Sequence, residues 1–387
     1  MIVKRPLLKW AFFCFITSEN VIFLEKANHC SCFLFTFVLV KEVEYIIVGN
    51  GLAGIAFCEQ LRAAKKDFIV FDNKSQQSSS VAAGLYNPVI LKRFTKVWNA
   101  KAQLTLAIPK YKVLEQLLDV KLDYQLPVYR RFMSVEEQND WFTASDKPVL
   151  EEYLSTTLVK NTNDDIHADF GFGEVLHSGR IDTSQLVKSY RNYLLEVEKL
   201  EVNGFQYELL KIESEYIEYK DIRATYIVFA EGYGVSKNPF FNYLPLNGTK
   251  GEMLTIEAPD LKMEFIMKSS VFIVPLGHDL FWIGATYERQ DKTHSITESA
   301  KEQLVDKLRQ IIKCDFKIVK QVAGIRPTTK DRRPLVGAHP DHKNIFVLNG
   351  LGTRGVMISP YVAEQLFNHI ETGEQLDPEI DIKRIKK

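Results

Sequence analysis

Residues 49–54 read Gly-Asn-Gly-Leu-Ala-Gly, and the three glycines have the spacing of a turn that binds a dinucleotide. In the G-x-G-x-x-G pattern, Gly49 allows a tight bend, Gly51 lets the backbone approach a pyrophosphate, and Gly54 lets a helix pack closely on a strand. The free N–H groups and the dipole of that helix attract the anion. Asp72, 18 residues after Gly54, is placed to accept hydrogen bonds from ribose hydroxyls.

The flanking sequence supplies the elements that have to position this turn. Residues 43–48, Val-Glu-Tyr-Ile-Ile-Val, form a short apolar run that is typical of a buried parallel strand. After the glycines, apolar residues continue at helical spacing as far as Ala64, and residues 68–72 form a second predicted strand that ends on the acid. The order strand, turn, helix, strand predicts a dinucleotide-binding unit, but it does not distinguish FAD from NAD.

Short motifs follow along the rest of the chain. They are a small-residue loop at 78–88, a Gly-x-Ile-Asp segment at 179–182, a strand ending in glycine at 226–232, a basic strand start at 248–252, two strands at 271–277 and 283–288, a Gly-x-Arg-Pro segment at 324–327 and a glycine turn at 349–356. In order and spacing these motifs resemble the D-amino acid oxidase and glycine oxidase superfamily of FAD enzymes. Within it, the Gly-Leu-Gly-Thr-Arg-Gly turn is most similar to the FAD-binding half of the bifunctional enzymes that complete the aminomethyl group of the tRNA wobble uridine.

The resemblance implies an α/β fold. A Rossmann-like FAD-binding domain of the glutathione-reductase type would carry an inserted α+β substrate domain, built on a mostly antiparallel sheet. The implied division is 42–126, 176–238 and 320–375 for the FAD-binding domain, 127–175 and 239–319 for the substrate domain, 1–41 for an atypical N-terminal extension and 376–387 for a basic C-terminal tail.

The resemblance also implies FAD as the cofactor and assigns residues to it. The cofactor is expected to be bound non-covalently, because residues 324–327, where some relatives carry the attaching cysteine, contain none. The implied cofactor-binding residues are Gly49, Gly51, Leu52, Ala53, Gly54, Asp72, Asn73, Ser79, Ser80, Gly84, Leu85, Asn87, Gly232, Gly350, Gly352, Thr353, Arg354 and Gly355.

Three basic residues are the candidates for catalysis. Arg326 would hold a substrate carboxylate by two charge-assisted hydrogen bonds, and the alternative is a structural ion pair with Asp331 or Glu288. Arg354 opens a predicted helix, where its charge would stabilise the anionic reduced flavin, and the alternative is a surface or packing role. Lys250 would polarise the flavin or bind acidic groups of the substrate, whereas a solvated lysine explains it equally well.

The implied activity is oxidation of the C–N bond of an amine or amino acid, of the N-substituted glycine type, with hydride transfer to the flavin and hydrolysis of the resulting imine. Because the flavin accepts the hydride, the protein needs little acid–base machinery of its own. Three alternatives stay open: FAD-dependent demodification of a carboxymethylaminomethyl-uridine in tRNA, a flavin-binding protein without turnover, and an NAD enzyme. A small-molecule amine or amino acid is the favoured partner.

Composition sets limits on partners and compartment. The 49 Lys and Arg residues balance 49 Asp and Glu residues among 387, so no overall field attracts nucleic acid. The five cysteines form no disulfide framework, which indicates a reducing compartment and, we expect, a cytoplasmic protein. No metal site is predicted, because Cys30 and Cys32 lack a second ligand pair at zinc spacing. Local basic clusters, more typical of solvated faces than of a tRNA surface, occur at Lys92-Arg93, Arg130-Arg131, Arg332-Arg333 and 383–387.

The first forty residues differ from the rest of the chain. Two aromatic-rich apolar runs, at 10–17 and 32–40, fall short of the roughly 18 to 20 apolar residues that a membrane-spanning helix needs. The favoured interpretation is sequence upstream of the natural start that belongs to no fold, with a membrane-associating tail and an export signal as alternatives. No integral membrane span is expected, and the sequence does not indicate an oligomeric state.

Overall fold

The computed structural model describes residues 40–385 and, before them, three strands. These are β1 (Phe12–Ile16), β2 (Asn20–Glu25) and β3 (Leu34–Val38), which pair antiparallel in that order in a sheet of their own. The expectations given above for the rest of residues 1–39 and for the last two residues of the tail lie outside the described residues.

Strands and helices are interleaved from Lys41 onward. The strands are β4 (Lys41–Val48), β5 (Phe68–Phe71), β6 (Leu85–Tyr86), β7 (Val89–Ile90), β8 (Thr95–Lys96), β9 (Asp123–Tyr124), β10 (Val128–Arg131), β11 (Leu154–Val159), β12 (Phe172–Val175), β13 (Gly179–Ile181), β14 (Leu200–Glu201), β15 (Leu210–Ile212), β16 (Ile217–Tyr219), β17 (Ile222–Phe229), β18 (Leu246–Glu257), β19 (Ile266–Lys268), β20 (Phe272–Gly277), β21 (Leu280–Gly284), β22 (Lys317–Thr329), β23 (Leu335–His339) and β24 (His342–Asn349). The α-helices are α1 (Leu52–Ala63), α2 (Ser78–Val81), α3 (Ala100–Leu118), α4 (Val135–Ser145), α5 (Thr183–Glu196), α6 (Glu298–Arg309) and α7 (Gly355–Thr372). Short 3-10 helices span Tyr207–Leu209, Gly232–Lys237 and Ile382–Arg384.

The first large sheet is built around parallel strands. Its order is β14-β5-β4-β17-β16-β15, and β24 pairs with both β17 and β23. Tyr45, Ile46 and Ile47 of β4 are all buried, as expected for a central parallel strand with both faces covered. Helices α1, α3, α5 and α7 cover one face, and a cluster that includes Phe205 and Phe241 covers the other. The predicted strand, turn, helix and strand unit corresponds to β4, α1 and β5.

The second large sheet has the order β11-β12-β10-β19-β20-β21-β18-β22. Its pairings are antiparallel except for the parallel pair β10–β19. Its longest ladder joins β18 to β22, and α6 packs against β18. The predicted α/β fold with a mostly antiparallel second sheet is confirmed. The domain ranges stay a prediction, and β22, most of which falls in a segment assigned to the FAD-binding domain, pairs in this second sheet.

Two smaller sheets accompany the large ones. One has the order β6-β13-β9, and the other is the hairpin β7-β8. Over the part of the chain that the structure describes, we found no helix with the length and apolar character that crossing a bilayer requires.

Candidate functional site

A cavity of about 670 Å³ is lined by residues of both large sheets. From the parallel sheet and its turns come the glycine turn, Asp72 and Gly232; from the antiparallel sheet come Lys268 of β19 and Arg326 of β22. The volume is within the range of about 300–1,000 Å³ that is common for ligand and cofactor sites. The cavity therefore joins the predicted cofactor residues to side chains of the substrate half.

The glycine turn carries the start of α1 to the edge of the cavity. Gly51, the residue before the helix, has no side chain with which to cap it. The N–H of Leu52 donates to Ser79 Oγ over 3.1 Å, which fixes the turn against α2. A Cβ on Gly54 would overlap the carbonyl oxygen of Gly49, so only glycine lets the helix and strand pack this closely. The first turn of α1 thus presents its positive end to the cavity.

Asn50 provides the observation that tests whether a cofactor fits this turn. Its side chain is 3% exposed and lines the cavity, yet neither Oδ1 nor Nδ2 has a hydrogen-bond partner in the described structure. Buried polar atoms are normally paired, because leaving one unpaired costs about 1–3 kcal/mol. An unpaired amide beside an uncapped helix start suits a ligand with both donors and acceptors, as the pyrophosphate and ribose of a dinucleotide provide.

Asp72 lies at the end of β5 on the cavity wall. Its Oδ1 accepts from the backbone N–H of Asn50 over 3.3 Å, and its Oδ2 is ion-paired with the guanidinium of Arg191 from α5. A second Arg191 nitrogen donates to the Asp72 carbonyl over 3.1 Å. Arg191 therefore holds the predicted ribose acceptor in place. No local sequence pattern indicates this role for Arg191, which is 119 residues from Asp72 along the chain.

Most of the predicted cofactor residues meet at the cavity. Those that line it are Gly49, Gly51, Leu52, Ala53, Asp72, Asn73, Ser79, Gly84, Leu85, Gly232, Gly352, Thr353 and Gly355. Those that do not line it are Gly54, Ser80, Asn87, Gly350 and Arg354.

Ser80, Asn87 and Gly350 are engaged in local turns instead of facing the cavity. The Ser80 hydroxyl donates to the carbonyl of Gln77 over 3.0 Å, and Asn87 Oδ1 accepts from the next-but-one backbone N–H over 2.8 Å. Gly350 has φ +75°, and its N–H donates to the side chain of Asn349. These contacts explain why the three residues shape the wall without forming its surface.

Arg326 extends from β22 into the cavity. A Cβ on Gly251 of the neighbouring strand would overlap the guanidinium, so the glycine leaves room for it. Among the described residues the guanidinium has no ion pair; its hydrogen bond to the Thr286 carbonyl is long, at 3.5 Å, and the ring of Tyr287 lies 5.9 Å away. The alternative ion pairs with Asp331 and Glu288 are absent from that set. Burial lowers the pKa of Arg326, a sign of a cation short of anionic partners.

Arg354 precedes the first residue of α7 and does not line the cavity. Its pKa is lowered to about 10 by burial and by the nearby charge of Arg332. The cavity-lining positions of this turn are Gly352, Thr353 and Gly355, so the role of Arg354 beside the flavin stays a prediction that the cavity lining does not favour. The N-terminus of α7 is available to a ligand at these positions, whereas the Arg354 guanidinium is not part of the cavity lining.

Lys250 is also outside the cavity, contrary to prediction. Its side chain is 1% exposed, its ammonium donates to Asp291, and Glu252 lies 3.5 Å away. The strand register places Lys250 opposite Ile325, whereas Arg326 is opposite Thr249. Because side chains alternate between the faces of a strand, Lys250 and Arg326 project from opposite faces of the sheet. Lys250 is therefore not a solvated lysine, and its role at the cofactor or substrate stays a prediction that its ion pairs do not favour.

Three charged cavity residues, Lys237, Lys268 and Glu231, were missed by the sequence analysis. Lys268 of β19 has its pKa lowered to about 8 by burial and by the positive charges of Arg130, Lys307 and Lys92. Glu231, after β17, has its pKa raised to about 6 by burial, opposed by a hydrogen bond from Asn238 over 2.7 Å. Lys268 belongs to no recognisable motif, and Glu231 lies in the motif at 226–232, of which only Gly232 was assigned a role; only the pairing of distant strands and turns shows that both reach the cavity.

Cys58 and Cys314 are free, and neither lines the cavity. Among the described residues, no group of three His, Cys, Asp or Glu side chains is arranged to hold a metal ion. The polar chemistry at the cavity is thus that of hydroxyls, amides, carboxylates, backbone N–H groups and the cations of Lys237, Lys268 and Arg326.

Comparison with known proteins agrees with this geometry. The family model described as FAD dependent oxidoreductase (DAO) matches residues 44–368. Glycine oxidase of Bacillus subtilis (strain 168) is 28% identical over 147 residues, which are 36% of this chain and 39% of that enzyme. The tRNA 5-methylaminomethyl-2-thiouridine biosynthesis bifunctional protein MnmC of Campylobacter jejuni subsp. doylei is 22% identical over 330 residues, which are 81% of this chain and 49% of that protein. The matches thus span less than half the length of these curated relatives.

A solved structure extends the likeness to most of the fold. Glycine oxidase from Geobacillus kaustophilus superposes with a TM-score of 0.73 at 18% identity, covering 88% of this chain and 98% of that one. At this identity the likeness establishes the arrangement of elements. The resemblance inferred from the sequence motifs is confirmed.

Proposed function

The chain belongs to the FAD-dependent oxidoreductase family, and from this premise we propose that it oxidises the C–N bond of an N-substituted glycine or a related amino acid. The bound flavin supplies an acceptor for the hydride that leaves the carbon next to nitrogen. The substrate nitrogen forms the double bond of an imine and releases its proton, and water then hydrolyses the imine. The single observation that carries the proposal is the unpaired guanidinium of Arg326 in the cavity opposite the dinucleotide turn.

The parallel sheet supplies the residues that would hold FAD. The backbone at Gly49 and Gly51 and the start of α1 suit the pyrophosphate, because they offer N–H groups and no side chain in the way. Asp72, held by Arg191, suits the ribose hydroxyls. The unpaired amide of Asn50 suits the polar atoms between them. No described cysteine is placed to form a covalent link, which supports non-covalent binding.

Arg326 orients the substrate. A guanidinium that has no protein carboxylate as partner binds a substrate carboxylate through two parallel charge-assisted hydrogen bonds. Holding the carboxylate fixes the adjacent carbon and its C–H bond relative to the cofactor, and such orientation accounts for much of the rate enhancement of a bimolecular reaction. Met253, Phe272 and Trp282 add an apolar wall that accepts the substituent on nitrogen and excludes water from the reacting carbon.

Anaerobic reduction of the flavin tests this proposal. N-methylglycine and glycine are added to the purified holoenzyme without oxygen, and the loss of the flavin absorption band is recorded. We expect at least one of these acids to bleach the band, and their amides, which lack the anionic carboxylate, to react far more slowly. Failure of every amino acid and amine in a broad panel to bleach the flavin would refute the proposal.

A second candidate is oxidation of a modified uridine in tRNA. It is favoured by one observation: the similarity to the tRNA-modifying bifunctional protein covers 81% of this chain. The measurement is mass spectrometry of nucleosides after tRNA containing carboxymethylaminomethyl-uridine is incubated with the enzyme. Conversion of that nucleoside at rates above those for N-methylglycine would favour tRNA as the substrate, and an unchanged nucleoside profile would exclude it.

A further inference from the structure

Lys268 is a further cation in the cavity, in addition to Arg326 and the exposed Lys237, and the reaction proposed above does not use it. The half-buried side chain lines the cavity from β19. Its ammonium donates to the carbonyl of Ser269 over 2.7 Å and lies 4.8 Å from the ring centre of Phe272. Among the described residues no carboxylate forms an ion pair with it. A partly desolvated ammonium with one neutral acceptor retains donors for a ligand.

The surroundings of Lys268 carry an excess of positive charge. Arg130 on the adjacent strand β10 is directly opposite in the register, and Lys307 of α6 and Lys92 of the β7–β8 turn add further charge. Glu137 of α4 also lies in this cluster, and its carboxylate is ion-paired with Arg130. The mutual repulsion is what lowers the pKa of Lys268 beyond the effect of burial. An anion brought by a ligand would relieve this repulsion.

The strand order separates Lys268 from Arg326. One row of paired residues crosses successive strands on the cavity face of the sheet: Met253, Gly284, Phe272 and Lys268. Arg326 lies on the same face. Four strand intervals divide β22 from β19, which places the two strands about 19 Å apart across the sheet at roughly 4.8 Å per interval, and Arg326 lies four residues further along β22 than Val322, the partner of Met253. Even with both side chains leaning inward, a single small amino acid does not bridge this distance. A ligand that meets both cations has to be elongated.

We propose that Lys268 binds an anionic group at the far end of the substituent on the substrate nitrogen. This inference rests on the proposed function, in which Arg326 holds the glycine carboxylate, and it specifies the substrate class. The preferred substrate is an N-substituted glycine whose substituent ends in a carboxylate or a phosphate. Phe272, beside the ammonium, contributes the apolar surface along which that substituent lies.

A matched series of synthetic ligands tests the assignment. N-(ω-carboxyalkyl)glycines and N-(ω-phosphonoalkyl)glycines of increasing length are compared with the corresponding ω-amides, which have nearly the same size and no charge. We expect the kcat/KM for flavin reduction to favour the anionic end group by about tenfold, the usual effect of one charge-assisted hydrogen bond. The preference is lost in Lys268→Met and kept in Lys268→Arg. Lys211→Met, at an exposed lysine on β15, serves as the control.

Binding without turnover separates this inference from the proposed function. Ether analogues, in which oxygen replaces the amine nitrogen, do not form imines, so titration calorimetry with the holoenzyme reports affinity alone. Discrimination between anionic and amide ends that disappears in Lys268→Met supports the assignment even where no amine reduces the flavin, an outcome that would defeat only the proposed function. The carboxylate and phosphonate arms identify which anion binds more tightly.

Two results would overturn the inference. One is equal affinity of the wild-type protein for anionic and amide-ended ethers at every length. The other is a Lys268→Met variant that discriminates as the wild type does; if its FAD dissociation constant or flavin absorption spectrum were also altered, the lysine would instead serve the cofactor.

Discussion

At the scale of single residues, the cavity is defined by which charges have partners. Lys250 and Arg326 lie one register step apart on neighbouring strands, yet Lys250 is saturated by Asp291 and Arg326 has no carboxylate partner among the described residues. A buried ion pair completed within the protein is costly to break, whereas an unpaired cation in a cavity is available to a ligand. The two basic side chains therefore have different roles on the two faces of one sheet.

For Arg326, we expect Arg326→Met to lower kcat/KM for N-methylglycine by about 10²- to 10³-fold, because the variant removes the bidentate partner of a partly desolvated carboxylate. The slow reaction of the corresponding amide, and the FAD content, should stay near wild type. Steady-state kinetics and flavin absorbance measure both, with Arg309→Met at an exposed position as control. Equal losses for the acid and the amide would contradict a role in carboxylate binding.

For Lys250, we expect Lys250→Met to lower the free energy of unfolding by about 3 kcal/mol, because Glu252, itself 3% exposed, loses its cationic neighbour in the interior. Flavin reduction per bound FAD should be nearly unchanged. Denaturant titration of the apoprotein measures the stability. Adding Glu252→Gln to Lys250→Met should restore part of the lost stability. A large fall in the rate of flavin reduction with normal stability would show instead that Lys250 acts in the site.

For Lys268, the affinity of the carboxylate-ended ether should depend on pH. Its pKa of about 8 means that the ammonium is charged below pH 8 and loses its charge as the pH rises further. The affinity is therefore expected to be constant from about pH 6 to 7 and to fall above pH 8. Calorimetry at a series of pH values measures this. The Lys268→Arg variant should show no such fall, since its guanidinium stays charged.

At the scale of elements, the unit β4, α1 and β5 sets the position of the cofactor end. Two glycines of one motif have different neighbours there. A Cβ on Gly51 would meet only Ser79 Oγ at 3.1 Å, the end of a flexible side chain, whereas a Cβ on Gly54 would overlap the backbone carbonyl of Gly49. The first position borders the cavity, and the second joins the helix to the strand.

This difference predicts opposite consequences for two matched substitutions. Gly51→Ala should leave the stability of the apoprotein within about 1 kcal/mol of wild type and weaken FAD binding by about tenfold or more, because the methyl group stands where the pyrophosphate approaches. Gly54→Ala should destabilise the fold by about 3 kcal/mol, because the backbone has to move. Thermal unfolding measures the stability of the two variants, and FAD titration measures their affinity for the cofactor. A Gly51→Ala protein with wild-type FAD affinity would contradict the assignment of this turn.

At the scale of the whole molecule, the cavity is a junction between two sheets that are far apart in sequence. Its lining runs from Val48 to Val356 and draws on both sheets, so a ligand that fills it ties together segments from most of the chain. Binding to the folded state alone stabilises that state in proportion to the logarithm of ligand concentration. The cofactor is thus expected to contribute to stability as well as to chemistry.

Removal of FAD tests that expectation. The apoprotein should unfold at a lower temperature, and FAD at 100 times its Kd should restore about 2.7 kcal/mol. ADP, which matches only part of FAD and should therefore bind more weakly, should restore less stability than FAD at the same ligand concentration. Differential scanning calorimetry over a series of ligand concentrations measures both. A midpoint independent of FAD concentration would contradict cofactor binding in this cavity.

The sequence by itself determined the parts of this protein that depend on neighbours along the chain. The glycine turn, its two strands, its helix and its terminal acid follow from local spacing, and the order of the later motifs indicated the family and fold. What only the tertiary structure decided is which charges meet. The face to which Lys250 points, the hold of Arg191 on Asp72 and the entry of Lys268 into the cavity all depend on strand register and on pairings between distant segments. A shift of one residue in register moves a side chain to the other face of a sheet, and spacing along the chain carries no information about that choice.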